Sequence, residues 1–379
     1  MAGMDRRAVA WAASGAMDLT GRPNGPPLGC PAALVDLVEE AAATVGVDGL
    51  ALLGERAAIA GLRRQGATSC GGGSRLLPTA DGWVAVALPR PDDVAAVPAW
   101  LGVAVGEDDD PWPMVAAALL ERTADDVAER AALLGLPVAR LGATAPSPMR
   151  SFGLPVAGTE VGDGAPSRAV DGLRVLDLSS LWAGPLCGAL LARLGAKVTK
   201  VESTMRPDGA RHGPPAFYER LNAAKDEVAL DLTSAAGRRH LAELVAASDV
   251  VIESSRPRAM EQLGIAAIAF LSATAGPRAW VSITGYGRGP GDGDRVAFGD
   301  VAAAAGGLVA TDAEGPCFLA DAVADPLSGL VAAAAVVRAA DASGSWLLDA
   351  GMARIAAACA GPLLDVDGLE AAPARVGAW

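Results

Sequence analysis

Residues 173–202, LRVLDLSSLWAGPLCGALLARLGAKVTKVE, restrict the fold more than any other stretch. Leu173 to Leu178 is a short apolar run of branched residues, the pattern of a buried strand. Ser179-Ser180 offers hydroxyls suited to a helix start. The small-residue turn Ala183-Gly184-Pro185 follows, with Pro where a helix can open without a needed N–H. Leu186 to Leu194 has helical spacing, and Gly195 is a natural stop. Ala196 to Val201 reads as a second strand. Strand, turn, helix and strand make a βαβ unit. Its helix N-terminus suits a phosphate-bearing ligand, although the GxGxxG spacing of a dinucleotide site is absent.

The 379 residues suffice for two or three domains. Each long apolar run is broken by Arg, Asp, Glu, Gly or Pro, so no membrane span is expected. The start MAGMDRRAVAWAASG has no long apolar core, so no signal peptide is expected either. A net charge of −13 argues against general nucleic-acid binding, while leaving room for a local basic pocket. The 5 cysteines have no paired spacing, which suits reduced thiols in a cytoplasm. With only 2 histidines, a His-based metal site is disfavoured and no metal is expected.

In residues 1–168, Ala32 to Val45 carries an apolar face of Leu34, Leu37, Val38 and Ala41 and is expected to be helical. Gly49 to Ile59 is compatible with helix or strand. Gly71, Gly72 and Gly73 form a loop able to bring backbone N–H groups close to a ligand, or merely a flexible connection. A turn at Thr79–Gly82 leads into an expected strand, Trp83 to Leu88. Helical stretches follow at Asp92–Trp100, Trp112–Glu121 and Ala124–Leu133. Gly135 to Leu141 reads as a further strand. Ala145 to Arg168 is rich in Pro, Gly and Ser and is the expected linker.

From 169 to 379, strands are expected at Glu227–Leu232, Asp249–Glu253 and Trp280–Thr284, with helices at Ala235–Ala247, from Met260 and from Leu330. Alternation at this spacing argues an α/β fold, a parallel sheet with helices on both faces. Ligands then sit beyond the carboxyl ends of the strands, where Ser179 to Gly184, Ser203 to Arg211, Ser254 to Arg258 and Tyr286 fall.

Several of these segments together resemble one family. They are Val175-Leu176-Asp177, the Ala183-Gly184-Pro185 turn, Leu194-Gly195-Ala196 before Lys200-Val201-Glu202, and Leu221-Asn222 with Lys225. Asp249–Glu253 with Arg256-Pro257, and Ser282-Ile283-Thr284-Gly285-Tyr286-Gly287, continue the series in register. The chain resembles the family III CoA-transferases (CaiB/BaiF), which include formyl-CoA transferase and α-methylacyl-CoA racemase. The resemblance implies a Rossmann-like CoA-binding domain over 169–379 plus a smaller α+β domain. The Gly71–Gly73 loop and Thr79–Ala85 resemble parts that come later in the family, so residues 1–168 look like the family's later part placed first. A faint echo of Ala304–Gly307 at Ala12–Gly15, and of Leu347–Ala350 at Leu52–Glu55, accompanies this order.

The resemblance assigns Asp325 as the nucleophile, with Gly329 completing its motif and Asp321 as the rival carboxylate. By residue type alone, an Asp before an apolar helix reads as a cap. A carboxylate can attack a CoA thioester to give a mixed anhydride and then an aspartyl-CoA thioester. The implied lid is Gly71–Gly73. The implied CoA contacts are Leu181, Trp182, Ala183, Arg211, Lys225, Ser254, Ser255 and Tyr286, though Arg211 and Lys225 read equally as solvated charges and Tyr286 as a packed aromatic. The implied substrates are an acyl-CoA and a carboxylic acid, handled by a cytoplasmic homodimer without metal, nucleic acid or membrane. A non-catalytic CoA-binding subunit and a racemase are the alternatives. The racemase branch needs a histidine near the start of the helix around Val301, and Arg295 to Asp300 holds none.

Overall fold

A computed structural model describes all residues except 1–3, 105, 107–108, 163–165, 274–275 and 378. The βαβ unit forms as strand Arg174–Asp177, helix Ala183–Arg193 and strand Lys197–Ser203. The helix starts three residues before the expected Leu186. The residue before it is Trp182, which caps with no side chain, because the Ser179 hydroxyl is turned instead onto Asp177.

These strands belong to a seven-stranded sheet. Its order is Ala157–Gly162, Ser345–Gly351, Ala279–Thr284, Val250–Glu253, Arg174–Asp177, Lys197–Ser203 and Asp226–Leu230. All neighbours are parallel except Ala157–Gly162, an antiparallel edge on Ser345–Gly351. From Arg174–Asp177 the chain builds outward on one side, then returns to Val250–Glu253 and builds on the other. The loops after these two adjacent strands therefore part company, and a crevice opens at their carboxyl ends.

Side chains alternate across the sheet. Val175, Val198, Ile252, Val281 and Leu348 face a large core shared with helices Ala183–Arg193 and Ala324–Asp341. Leu176, Val201, Val251 and Trp280 face a second core under helix Ala235–Ala247. The fold is thus α/β with helices on both faces, as the alternating pattern predicts.

The smaller α+β unit is an antiparallel sheet, Ser74–Pro78, Trp83–Ala87 and Val138–Arg140, covered by helices Pro91–Leu101, Trp112–Leu119 and Ala124–Leu133. It has its own core of Val84, Val86, Trp100, Val115 and Val127. Helices Ala32–Val45 and Gly49–Ala60 pack elsewhere. Leu34, Val38, Leu52 and Leu53 enter the large core beside Leu330 and Val331. The division expected at residue 168 therefore does not follow the cores, because residues 6–60 complete the larger body. The expected linker also holds the edge strand Ala157–Gly162, whose Gly and Thr residues carry little apolar signal, while its residues 163–165 lie outside the description. Of the two internal echoes, Ala12–Gly15 and Ala304–Gly307 both close a helix, whereas Leu52–Glu55 is helical and Leu347–Ala350 is strand.

Candidate active site

Asp325 is the second residue of helix Ala324–Asp341, not its cap. Its Oδ2 accepts the backbone N–H of Gly299 at 3.2 Å, at the start of helix Gly299–Ala305. A Cβ at Gly299 would stand 2.4 Å from that same oxygen. The two helix starts therefore meet with no side chain between them, and the Asp325 carboxyl rests against backbone.

The spacing of Asp325 and Gly329 acquires a physical reason. Four residues along a helix return to the same face. At Gly329 a Cβ would lie 2.5 Å from the Ala183 carbonyl oxygen. Only glycine lets this helix press against the first turn of helix Ala183–Arg193. That contact sets Asp325 one turn away from the Leu181–Ala183 loop.

Two further carboxyls flank Asp325. Asp321 is buried and accepts Nε of Arg56 at 2.9 Å, with Nη2 of the same guanidinium on its other oxygen. Asp300 accepts the Ser74 hydroxyl at 3.1 Å. Burial, with only Arg56 pulling the other way among the neighbouring charges, raises the Asp325 carboxyl to about 7. Burial and the Asp321 charge lift Asp300 to about 6. Burial also raises Asp321, against the pull of Arg56. A carboxyl that titrates near neutrality suits a group that must be ionised to attack and protected until then.

The glycine loop arrives from the far end of the chain. Cys70 Sγ donates to the Ala320 carbonyl at 3.3 Å, and Ser74 holds Asp300 from the loop's other end. Between these anchors Gly71, Gly72 and Gly73 stay largely uncovered, and a Cβ at Gly72 would meet no atom within 4 Å. Gly71 faces Arg56, whose Nη2 lies 3.7 Å from where its Cβ would be. The loop stands over the carboxyl cluster.

Backbone strain gathers here too. Among the described residues, the non-glycine positions with positive φ are Phe152, Leu181, Ala320 and Ala322. Three of these four flank the crevice turn or Asp321. Each such position costs on the order of 1–3 kcal/mol, so their clustering marks a place where geometry is held for function.

The turn at 179–183 is pinned from beneath. Leu181 sits at φ 70°, its N–H given to Asp208 Oδ1 at 2.9 Å, and Ser180 N–H reaches Ser254 Oγ across the crevice at 3.2 Å. Asp208 in turn accepts the fully buried Lys200 at 2.9 Å. Leu181 and Ser180 are exposed, with Ser254 and Ser255 beside them half-buried. Trp182 is buried, with the Arg56 guanidinium 5.0 Å from its ring centroid.

Two expected CoA contacts are corrected by their surroundings. Lys225 has its three protons taken by Asp177 Oδ2 at 2.8 Å, the Pro185 carbonyl at 2.8 Å and Asn222 Oδ1 at 3.0 Å, and its side chain is fully buried. It holds the fold together and cannot reach a phosphate. Tyr286 is buried at 1% exposure beneath Arg295, whose guanidinium lies 3.7 Å from the ring centroid. It is a packed aromatic. Arg211 stays at the surface, but bonds Glu202 at 2.7 Å and Glu227 at 3.0 Å and lies over Tyr218. The sequence does not single out Arg56 or Asp300; an Arg in an Ala-rich helix and an Asp in the first turn of another carry no local signal of a shared site.

Residues 170–345 match the sequence model of CoA-transferase family III. This part of the chain is similar to CoA-transferase family III. The matched stretch contains the crevice turn, Gly299 and Asp325, while Arg56 and the glycine loop lie outside it. The chain is 31% identical over 150 residues to a succinyl-CoA–D-citramalate CoA-transferase of Chloroflexus aurantiacus, covering 38% of this chain and 37% of that protein. It is 32% identical over 184 residues to a formyl-CoA:oxalate CoA-transferase of Rhodopseudomonas palustris, covering 46% and 43%. A crystal structure of a CaiB/BaiF family protein from Brucella suis aligns at 27% identity and TM-score 0.44, over 50% of this chain and 55% of that one. The chain spans less than half the length of these curated CoA-transferase relatives.

Proposed function

We propose that this protein moves CoA between an acyl-CoA and a carboxylic acid, with Asp325 as nucleophile. The observation that carries the reading is the meeting, in one crevice, of a near-neutral carboxyl at Asp325 with the strained CoA-side turn at Leu181–Ala183 and the glycine loop. The ionised carboxylate attacks the thioester carbonyl, and CoA leaves as thiolate, giving a mixed anhydride. The thiolate attacks the aspartyl carbonyl of that anhydride, frees the first acid and leaves an aspartyl-CoA thioester. The incoming carboxylate attacks this thioester to form a second mixed anhydride, again releasing the thiolate. The thiolate then attacks the substrate acyl carbonyl, which restores Asp325 and yields the new CoA ester. Each tetrahedral state carries an oxyanion that needs N–H donors. Gly71–Gly73, the stretch with uncovered backbone beside the cluster, closes over the anhydride and excludes water.

CoA lies in this reading along the crevice at the carboxyl ends of the strands, against Leu181, Trp182, Ala183, Ser254 and Ser255, with Arg211 at its outer rim. No metal takes part. The protein acts in the cytoplasm as a homodimer, and its residues 1–168 supply the family's later part in a rearranged order. Racemisation is the weaker reading for a specific reason. The stretch Arg295 to Asp300, which leads into helix Gly299–Ala305, holds no histidine to act as the second acid–base group.

The test is intact-protein mass after incubation with a panel of acyl-CoAs, trapped with hydroxylamine or borohydride, for wild type and Asp325→Ala. An adduct at Asp325, absent from the variant, supports covalent transfer. CoA binding without an adduct across the panel would sink it.

A further inference from the structure

Arg56 stands outside the stretch that matches the family, yet it reaches Asp321, Trp182 and the glycine loop. It lies on helix Gly49–Ala60, brought in from the N-terminal part of the chain. Its Nε and Nη2 bind both oxygens of Asp321. Its face lies 5.0 Å from the Trp182 centroid, on the residue that opens helix Ala183–Arg193. Gly71 of the glycine loop lies against its Nη2.

The helix that delivers it is fixed from the next residue. Glu55, buried, accepts Arg220 at 3.1 Å, the Gly377 N–H at 2.9 Å and Trp379 Nε1 at 3.0 Å. Glu55 and Arg56 lie about 100° apart around the helix, so one anchors it and the other enters the site.

The charges explain what Arg56 is for. Asp325 is faced by Asp300 and the Gly299 N–H from one helix, by Asp321 from its own loop and by Arg56. Cys70 and Ser74 of the glycine loop are bonded to Ala320 and Asp300. Three carboxyls share one guanidinium in a poorly solvated space, and like charges there oppose each other's ionisation. A bidentate guanidinium binds one carboxylate in a fixed orientation.

We propose that Arg56 is the positioning residue of this site: edge-on it locks Asp321, face-on it fixes Trp182, and it thereby leaves Asp325 as the one carboxylate free to attack. This rests on the transferase reading for its consequence in catalysis, but not for its consequence in charge. Without Arg56 the Asp321 charge is uncompensated, and it works against the ionisation of Asp325.

The experiment reads both. Protein labelled with carboxyl-13C aspartate is titrated by NMR, with Asp325 assigned through Asp325→Asn. Arg56→Gln is expected to raise the Asp325 midpoint by one pH unit or more. The pair Arg56→Gln with Asp321→Asn removes the Asp321 repulsion as well and brings the midpoint only part of the way back, the remainder being the direct pull of Arg56 on Asp325. Arg56→Lys, which keeps the charge and loses the bidentate grip, lies between. Adduct formation at pH 6.5 falls about tenfold in Arg56→Gln, in step with the midpoint. An unchanged midpoint in Arg56→Gln or, if that variant does not fold, in Arg56→Lys overturns the proposal. A shifted midpoint in a protein whose wild type forms no adduct supports the role of Arg56 in the cluster and refutes the transferase reading instead.

Discussion

Gly299 and Asp325 touch without a side chain between them: the glycine N–H lies 3.2 Å from Asp325 Oδ2, and a methyl at 299 would come within 2.4 Å of that oxygen. The Ala322 carbonyl oxygen is equally close to that methyl. Gly299→Ala must therefore displace the start of helix Ala324–Asp341. Overpacking of this kind costs about 1–3 kcal/mol. The variant is expected to stay folded, with a lower Tm and adduct formation at Asp325 reduced at least a hundredfold. Full adduct formation would show that this contact does not place the carboxyl.

Gly329→Ala acts at the other end of the same turn. Its methyl meets the Ala183 carbonyl at 2.5 Å and forces the two helices apart. A stability loss of about 1–3 kcal/mol is expected from denaturant unfolding. CoA affinity is expected to fall less than the rate of adduct formation, because the shift separates nucleophile from turn more than it damages the turn.

The pH dependence has a definite sign. The folded Asp325 titrates at about 7 and Asp300 at about 6, both above the ordinary 3.8. The folded protein thus holds protons that the unfolded chain has released. The stability these groups contribute is fully present below pH 3.8 and is lost as pH rises through 6 and 7. Asp325→Asn, neutral throughout, should match wild type near pH 4 and exceed it at pH 8, by on the order of 2–4 kcal/mol. Thermal unfolding across that range is the check, and equal Tm differences at both ends would contradict it. Adduct formation by wild type should rise about tenfold per pH unit below 7 and level off above.

Lys225 separates structure from ligand binding. Lys225→Met leaves Asp177 charged and buried without its partner. A loss of about 3–5 kcal/mol is expected, most of it recovered when Asp177→Leu is added. CoA affinity, measured by calorimetry on the folded double variant, should stay within a factor of about three. A large loss of affinity with stability restored would return Lys225 to the binding site.

Much of the fold was legible in the chain. Ala32–Val45 and Ala235–Ala247 form with the expected bounds, because a clean apolar face and a clear stop define each. Strand Ser345–Gly351 was not foreseen, although it lies between two other strands of the sheet, because SWLLDAG offers one short apolar run among polar and small residues. The candidate site was half legible. Asp325, Gly329 and the turn at Leu181–Ala183 carry motif spacing. Lys225 was misread because a lysine in a motif looks the same whether it meets a phosphate or a buried aspartate.

By itself the sequence determined the alternation of strands and helices, the turn at the crevice and the aspartate one helical turn before a glycine. Local periodicity and backbone freedom act over a few residues, so they are written in the chain. The tertiary structure alone decided that Arg56 and Gly71 share one site with Asp325, more than two hundred residues further along the chain. Nothing local encodes such a meeting, because it follows from N-terminal helices burying their apolar faces against the far side of helix Ala324–Asp341.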